Sequence, residues 1–139
     1  MRRIACARSD LVTRIVALLG QRLGLDALWV FGSIATGRPR ADSDVDLGAL
    51  FPATPDMGAL AEARADLGIL IGRGVDLVDL DAASPLLAFQ AVKHGTLLYE
   101  GSPRRRVLFT AELIGRYEDL MILRAPVERA AIERLRGRA

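Results

Sequence analysis

Apolar residues recur along this chain with two different spacings, and the changes between them predict alternating helices and strands. In residues 11–23 and 60–71 the spacing is three or four positions, which is typical of helices that bury one face. Short, mainly apolar runs predict buried strands, the last of them at a sheet edge. These runs cover residues 28–31, 45–51, 75–80 and 96–99. The order predicts an α/β or α+β domain in which helices flank a small mixed sheet.

Polar residues mark where the predicted helices begin. Ser9 or Asp10 can cap the first helix and Asp56 the second, because their side-chain oxygens accept hydrogen bonds from the free N–H groups of a first turn. Ser84–Pro85 is typical of a third helix start, since proline fits the first helical position. Gly72 and Gly74 are expected to close the second helix.

The last third of the chain is basic at first and then helical. One stripe of apolar residues at helical spacing predicts a core or interface contact, and Pro126 is expected to interrupt or kink this helix. The stripe consists of Leu113, Ile114, Tyr117, Leu120 and Met121. Because no linker separates the segments, we expect one domain over residues 1–139, with a core of about 9–101 and a helical segment over 102–139.

Composition narrows the class of protein. The chain has 139 residues, of which 51% are hydrophobic and 26% charged, as in an ordinary folded domain. A single cysteine, Cys6, and a single histidine, His94, exclude an intrachain disulfide and a multi-histidine zinc site. No run approaches about 18 apolar residues, so we expect no membrane span and a cytoplasmic location. A formal charge of +2 is only a weak indication of nucleic-acid binding, and we expect no direct contact with it.

Candidate chemistry is concentrated between Trp29 and Leu50, in WVFGSIATGRPRADSDVDLGAL. Asp44 and Asp46 are two apart on a predicted strand, so both carboxylates face one way and repel each other. A hard cation such as Mg²⁺ relieves that repulsion. Gly32 lets backbone approach a ligand closely, and a helical turn opened by Ser33 would offer N–H groups to a phosphate.

Each of these features also has an ordinary structural interpretation. Gly-Ser occurs in many turns and Asp-x-Asp on many solvated strands, so the combination and its spacing carry the prediction. A third carboxylate is expected in VDLVDL, residues 75–80. Asp76 and Asp79 lie on opposite faces of that strand, and the pattern alone does not choose between them.

Together these residues resemble the signature of the DNA polymerase beta-like nucleotidyltransferase superfamily. In a chain this short they resemble its minimal nucleotidyltransferase (MNT) family, whose members are known as antitoxins paired with HEPN-domain toxins. The resemblance is strongest over residues 29–50 and weaker over 74–80 and 94–101. It implies a polymerase beta-like palm, and it favours Asp76 as the third acid because that acid sits early in its strand in similar enzymes.

The resemblance also implies an activity. Asp44, Asp46 and Asp76 would hold two Mg²⁺ ions, and Gly32 and Ser33 would bind the outer phosphates of ATP. AMP would pass to a hydroxyl group, expected to be a tyrosine, of a HEPN toxin with which the chain would form a hetero-oligomer. Two alternatives stay open: transfer to a small molecule such as an aminoglycoside, and a non-catalytic antitoxin that binds its toxin.

Some neighbouring residues stay ambiguous. Thr36 stands where the MNT pattern often carries arginine, which puts a phosphate contact there in doubt. Arg38 and Arg40 can contact phosphates or solvent. His94 lies near a predicted helix C-terminus, where positive charge is favourable, and that position explains it better than catalysis does.

Overall fold

The computed structural model describes residues 6–32 and 44–137, which form four helices and a four-stranded sheet. In chain order these are α1 (Cys6–Arg22), β1 (Ala27–Phe31), β2 (Val45–Leu50), α2 (Met57–Ile71), β3 (Val75–Asp79), α3 (Pro85–His94), β4 (Thr96–Glu100) and α4 (Pro103–Gly137). The predicted combination of flanking helices and a small sheet is confirmed.

The sheet is mixed, with strand order β3-β2-β1-β4. β1 lies in the centre and is antiparallel to both β2 and β4, whereas β2 and β3 are parallel. A parallel pair needs a crossover, and α2 provides it. β4 is an edge strand, as predicted.

Each face of the sheet has its own hydrophobic core. On one face α1 and α2 contribute Ile15, Leu19, Ala63 and Leu67, which pack on alternate residues of the sheet such as Leu47 and Leu77. On the other face α3 and α4 contribute Ala88, Ala91, Phe109 and Leu113, which pack on Trp29, Phe31, Leu50 and Leu80. Every strand therefore presents its two faces to different helices.

The predicted ends of α2 and α3 are confirmed. Asp56 accepts a hydrogen bond from the N–H of Ala59 at 3.1 Å, and Ser84 Oγ accepts one from the N–H of Leu87 at 3.2 Å. Gly72 closes α2 in the left-handed conformation, with φ of 78°. Local capping chemistry thus fixes both boundaries.

The predicted start of α1 is wrong. The helix begins at Cys6, so Ser9 and Asp10 lie within it and do not cap it. Asp10 faces Arg14 one turn later at 3.8 Å, an arrangement that is compatible with a helix interior.

Pro126 does not interrupt α4, which continues from Pro103 to Gly137. A proline removes one backbone hydrogen bond and crowds one carbonyl, while the flanking Ala125, Glu128 and Ala130 favour helix. The apolar stripe of this helix is core only in part, because Leu113 is buried and Ile114 is 45% exposed.

Arg105 attaches the start of α4 to the sheet. Its guanidinium binds the carboxylate of Asp81, lies 3.6 Å from that of Asp26, and donates to the carbonyl of Phe51 at 3.3 Å. These partners lie at three different strand ends, so a single side chain ties α4 to the core.

None of the helices in the part of the chain described here combines the length and apolarity that a bilayer crossing demands.

Candidate active site

Register across three strands places two of the predicted acids side by side. Phe31 of β1 is opposite Asp46 of β2, and Asp46 is in turn opposite Asp76 of β3. Paired residues of neighbouring strands share a face, and the strands are about 4.8 Å apart. Asp46 and Asp76 therefore lie next to each other on the face that α3 and α4 cover.

Asp44 lies just before β2 and is exposed. The backbone there is held by a hydrogen bond of 2.9 Å from the N–H of Val45 to the carbonyl of Gly74. A β-carbon at position 74 would clash with Oδ1 of Asp44. Gly74, at the entrance to β3, is therefore what leaves room for this carboxylate.

Gly32 ends β1 beside the carboxylates. Its φ of 75° lies in the left-handed region, and a β-carbon there would clash with Oδ2 of Asp46. Two separate features therefore require glycine at position 32: the left-handed backbone conformation and the nearby carboxylate of Asp46.

Replacing Gly32 with alanine should reduce both stability and activity. The left-handed conformation should cost roughly 1–2 kcal/mol of unfolding free energy, and displacing the Asp46 carboxylate should cut transfer by about a hundredfold. Gly20→Ala is the matched control, because a β-carbon there meets nothing within 4 Å. Urea unfolding and a transfer assay test both effects, and a Gly32→Ala protein as active as wild type would contradict the steric argument.

The electrostatics of Asp46 favour a bound cation. Burial raises the pKa of its carboxyl group, and the charges of Asp76 and Asp44 raise that pKa further. The ionised form is thus disfavoured until a positive charge compensates it.

An open cleft of about 470 Å³ lies over Asp46 and Asp76. Its floor is the sheet and one wall is α3. The lining residues are Phe31, Gly32, Asp46, Asp76, Val78, Leu87, Gln90 and His94. The cleft is therefore lined by two of the predicted acids, Asp46 and Asp76, and by Gly32, which was predicted to bind phosphate.

The donor set fits magnesium, although it does not form a closed cage. Over residues 6–32 and 44–137, no three histidine, cysteine, aspartate or glutamate side chains converge tightly enough to enclose a metal ion. Mg²⁺ does not need such a cage, because it keeps several waters and commonly takes one or two carboxylates together with substrate phosphates. Adjacent carboxylates beside an open cleft meet that requirement.

Asp79 lies on the other face of β3, away from the cleft. Its carboxylate is 9% exposed and accepts a hydrogen bond from the N–H of Asp81 at 3.2 Å. Asp79 is therefore a buried group that caps the turn after β3, and it does not face the cleft.

Asp79→Asn should stabilise the protein at neutral pH. Burial raises the pKa of Asp79, so the folded state holds its proton more tightly than the unfolded state does. The stability that the protonated Asp79 carboxyl group contributes is fully present below its unfolded-state pKa, about 4. It is lost as the pH rises through the higher pKa of the folded state. Asparagine retains the acceptor oxygen without the charge. Chemical unfolding should show an advantage for Asp79→Asn at pH 7 that shrinks on acidification; a disadvantage at pH 7 would contradict it.

The described residues do not include four of the candidates discussed above, Ser33, Thr36, Arg38 and Arg40.

His94 lies at the C-terminal end of α3, as expected, and it also lines the cleft. Gln90 and Leu87 line it too, and sequence reasoning singled out neither for the site. The sequence did contain a signal for this: Leu87, Gln90 and His94 are three and four positions apart, which places them on one face of a helix.

Comparison with known proteins agrees with this geometry. The family model described as polymerase beta, nucleotidyltransferase matches residues 13–104. A protein adenylyltransferase, MntA from Shewanella oneidensis, is 32% identical over 115 residues, which is 82% of each chain.

Solved structures agree as well. A crystal structure of a toxin–antitoxin with AMP-PNP superposes with a TM-score of 0.80 at 30% identity, covering 87% of this chain and 98% of the other. A structure of a tri-AMPylated Shewanella oneidensis HEPN toxin in complex with an MNT antitoxin gives a TM-score of 0.76 at 27% identity, with 90% and 98% covered.

The fold and the carboxylate pair define a nucleotidyltransferase. The chain belongs to the polymerase beta nucleotidyltransferase family, and the resemblance read from its sequence is confirmed.

Proposed function

We propose that this protein is a magnesium-dependent protein adenylyltransferase that transfers AMP from ATP to a hydroxyl group of a HEPN-domain toxin and thereby acts as its antitoxin. The observation that carries the proposal is the adjacent pair Asp46 and Asp76 on the floor of one open cleft. The related MntA and the complexes of HEPN toxins with MNT antitoxins supply the acceptor class.

Each proposed site residue has a distinct role. Asp44, Asp46 and Asp76 would hold two Mg²⁺ ions, which would supply positive charge to stabilise the triphosphate and the oxygens at which charge develops. Gly32 and Ser33 bind the outer phosphates and orient the leaving group in line. Asp76, on β3, also accepts the proton of the acceptor hydroxyl.

The reaction is a single displacement. The acceptor oxygen, from a tyrosine of the toxin, bonds to the α-phosphorus, the bond between that phosphorus and the bridging oxygen breaks, and pyrophosphate leaves. The cleft is open, so the partner protein must cover it and exclude water. We place this hetero-oligomer in the cytoplasm, and we assign the nucleotidyl chemistry to residues 9–101 and a supporting role to the helical segment 102–139.

ATP labelled at different phosphates tests the proposal. Incubated with a candidate HEPN-domain toxin, the enzyme should transfer label from the α-phosphate and none from the γ-phosphate. Chelation of Mg²⁺ should abolish the transfer, because the carboxylates alone repel the triphosphate.

Three results would contradict the proposal in different ways. Transfer of γ-label would indicate a kinase. Label on an aminoglycoside instead of the HEPN protein would indicate a small-molecule transferase. Neutralisation of the toxin without any transferred label would indicate an antitoxin that acts by binding alone.

A further inference from the structure

α3 has three distinct faces, and packing within the protein explains only two. Ala88 and Ala91 are buried against the sheet. Phe89 stacks on Tyr117 of α4 with ring centroids 3.8 Å apart, and Lys93 Nζ lies 5.3 Å from the Phe89 ring. The third face consists of Leu87, Gln90 and His94 and points into the cleft. We call it the cleft face of α3.

Among the described residues, the cleft face has no polar partner. Gln90 and His94 are exposed, and neither side chain makes a hydrogen bond or ion pair with another residue in 6–32 or 44–137. Leu87 is 38% exposed although it is apolar. Polar contacts within the described residues therefore do not explain Gln90 and His94 at these positions.

From this geometry we infer that the cleft face of α3 binds the nucleoside part of the nucleotide, with Gln90 and His94 as specificity-determining residues. The inference rests on the proposed function, because it takes a nucleoside triphosphate as the substrate of the same site.

The chemistry of this face selects the nucleoside over the phosphates. The cleft lining within the described residues contains no arginine or lysine, since Lys93 turns towards Phe89 instead. An amide and an imidazole offer hydrogen-bond donors and acceptors, which match the edge of a base and the hydroxyls of a ribose. An amide in particular can pair with the N6 and N7 atoms of adenine.

The apolar residues beside them fit a planar base. Leu87 projects from α3, and Val78 projects from β3 two residues after Asp76 on the same sheet face. A base between them would lie beside the carboxylates, so its α-phosphate would stay within reach of Asp46 and Asp76. Such pockets are mostly apolar with a few polar groups that fix orientation.

Equilibrium binding of two probes in the presence of Mg²⁺ separates the nucleoside from the phosphates. Gln90→Leu and His94→Leu should each weaken ATP binding by roughly tenfold, the scale of a lost hydrogen bond with an unpaired partner. Both variants should bind inorganic tripolyphosphate as wild type does. Gln21→Leu, the same change on the exposed surface of α1, is the control and should alter neither.

Other outcomes overturn the inference. Equal loss of ATP and tripolyphosphate binding would assign the cleft face to the phosphates. Unchanged ATP binding with a raised KM for the HEPN protein would assign it to the acceptor. Wild-type protein that binds no ATP would instead defeat the proposed function itself. Circular dichroism verifies the fold of each variant, and Gln90→Ala and His94→Ala repeat the test without an added apolar side chain.

Discussion

Asp46→Asn should abolish nucleotidyl transfer while leaving the metal-free protein folded. Asparagine keeps the size of the side chain and the fit against Gly32, but it removes a charge that a cation needs. The expected loss of turnover is roughly a hundred- to a thousandfold or more, the scale of a missing electrostatic group in an active site. Mg²⁺-dependent ATP binding should weaken in parallel.

The same substitution, Asp46→Asn, should not lower the stability of the metal-free protein. Burial and the charges of Asp76 and Asp44 raise the pKa of Asp46, so its ionised form costs stability at neutral pH. Melting temperature measured in a chelator should therefore hold or rise in Asp46→Asn, and the difference should close as pH falls and the wild-type carboxyl is protonated. A variant that keeps full activity, or that loses its fold, would defeat the assignment.

Asp76→Asn should cut turnover by orders of magnitude, whereas Asp79→Asn should leave it within a few-fold. The two acids are three residues apart on β3, and only Asp76 faces the cleft. The pair is its own control, since both variants make the same chemical change in the same strand.

Single-turnover rates at saturating ATP give the clearest ranking, because they isolate the chemical step from product release. Melts in a chelator show whether either change disturbs the fold. A reversed ranking would mean that the reactive centre lies on the face of the sheet that α1 and α2 cover.

Local signals in the sequence were enough to find the elements. Mainly apolar runs located all four strands to within a residue at each end, and Asp56 and Ser84 marked two helix starts. Phe51 and Leu80 lie one residue beyond their strands but are still buried, so the apolar pattern included them. The sequence left open whether Pro126 interrupts or kinks α4, and the continuity of the helix decides against an interruption, since a proline removes only one backbone hydrogen bond.

Long-range pairing was not available from the pattern. Alternation shows that Asp76 and Asp79 face opposite ways, but only the register with Asp46 shows which face carries the chemistry. The choice of Asp76 came from the family resemblance; the structure places Asp76 opposite Asp46 in the cleft, and its role as the third acid stays a prediction. Gln90 and His94 were missed as cleft residues for a similar reason, because the rotation of α3 about its axis depends on what Ala88 and Ala91 pack against.

The two glycines that make room for carboxylates, Gly32 beside Asp46 and Gly74 beside Asp44, have an evolutionary consequence. A descendant that lost Asp44 would be released from the steric demand at position 74, so a side chain there should accompany or follow the loss of that acid. Position 32 should stay glycine for longer, because its left-handed backbone requires glycine even without Asp46. In this chain both glycines are still present, each beside its carboxylate.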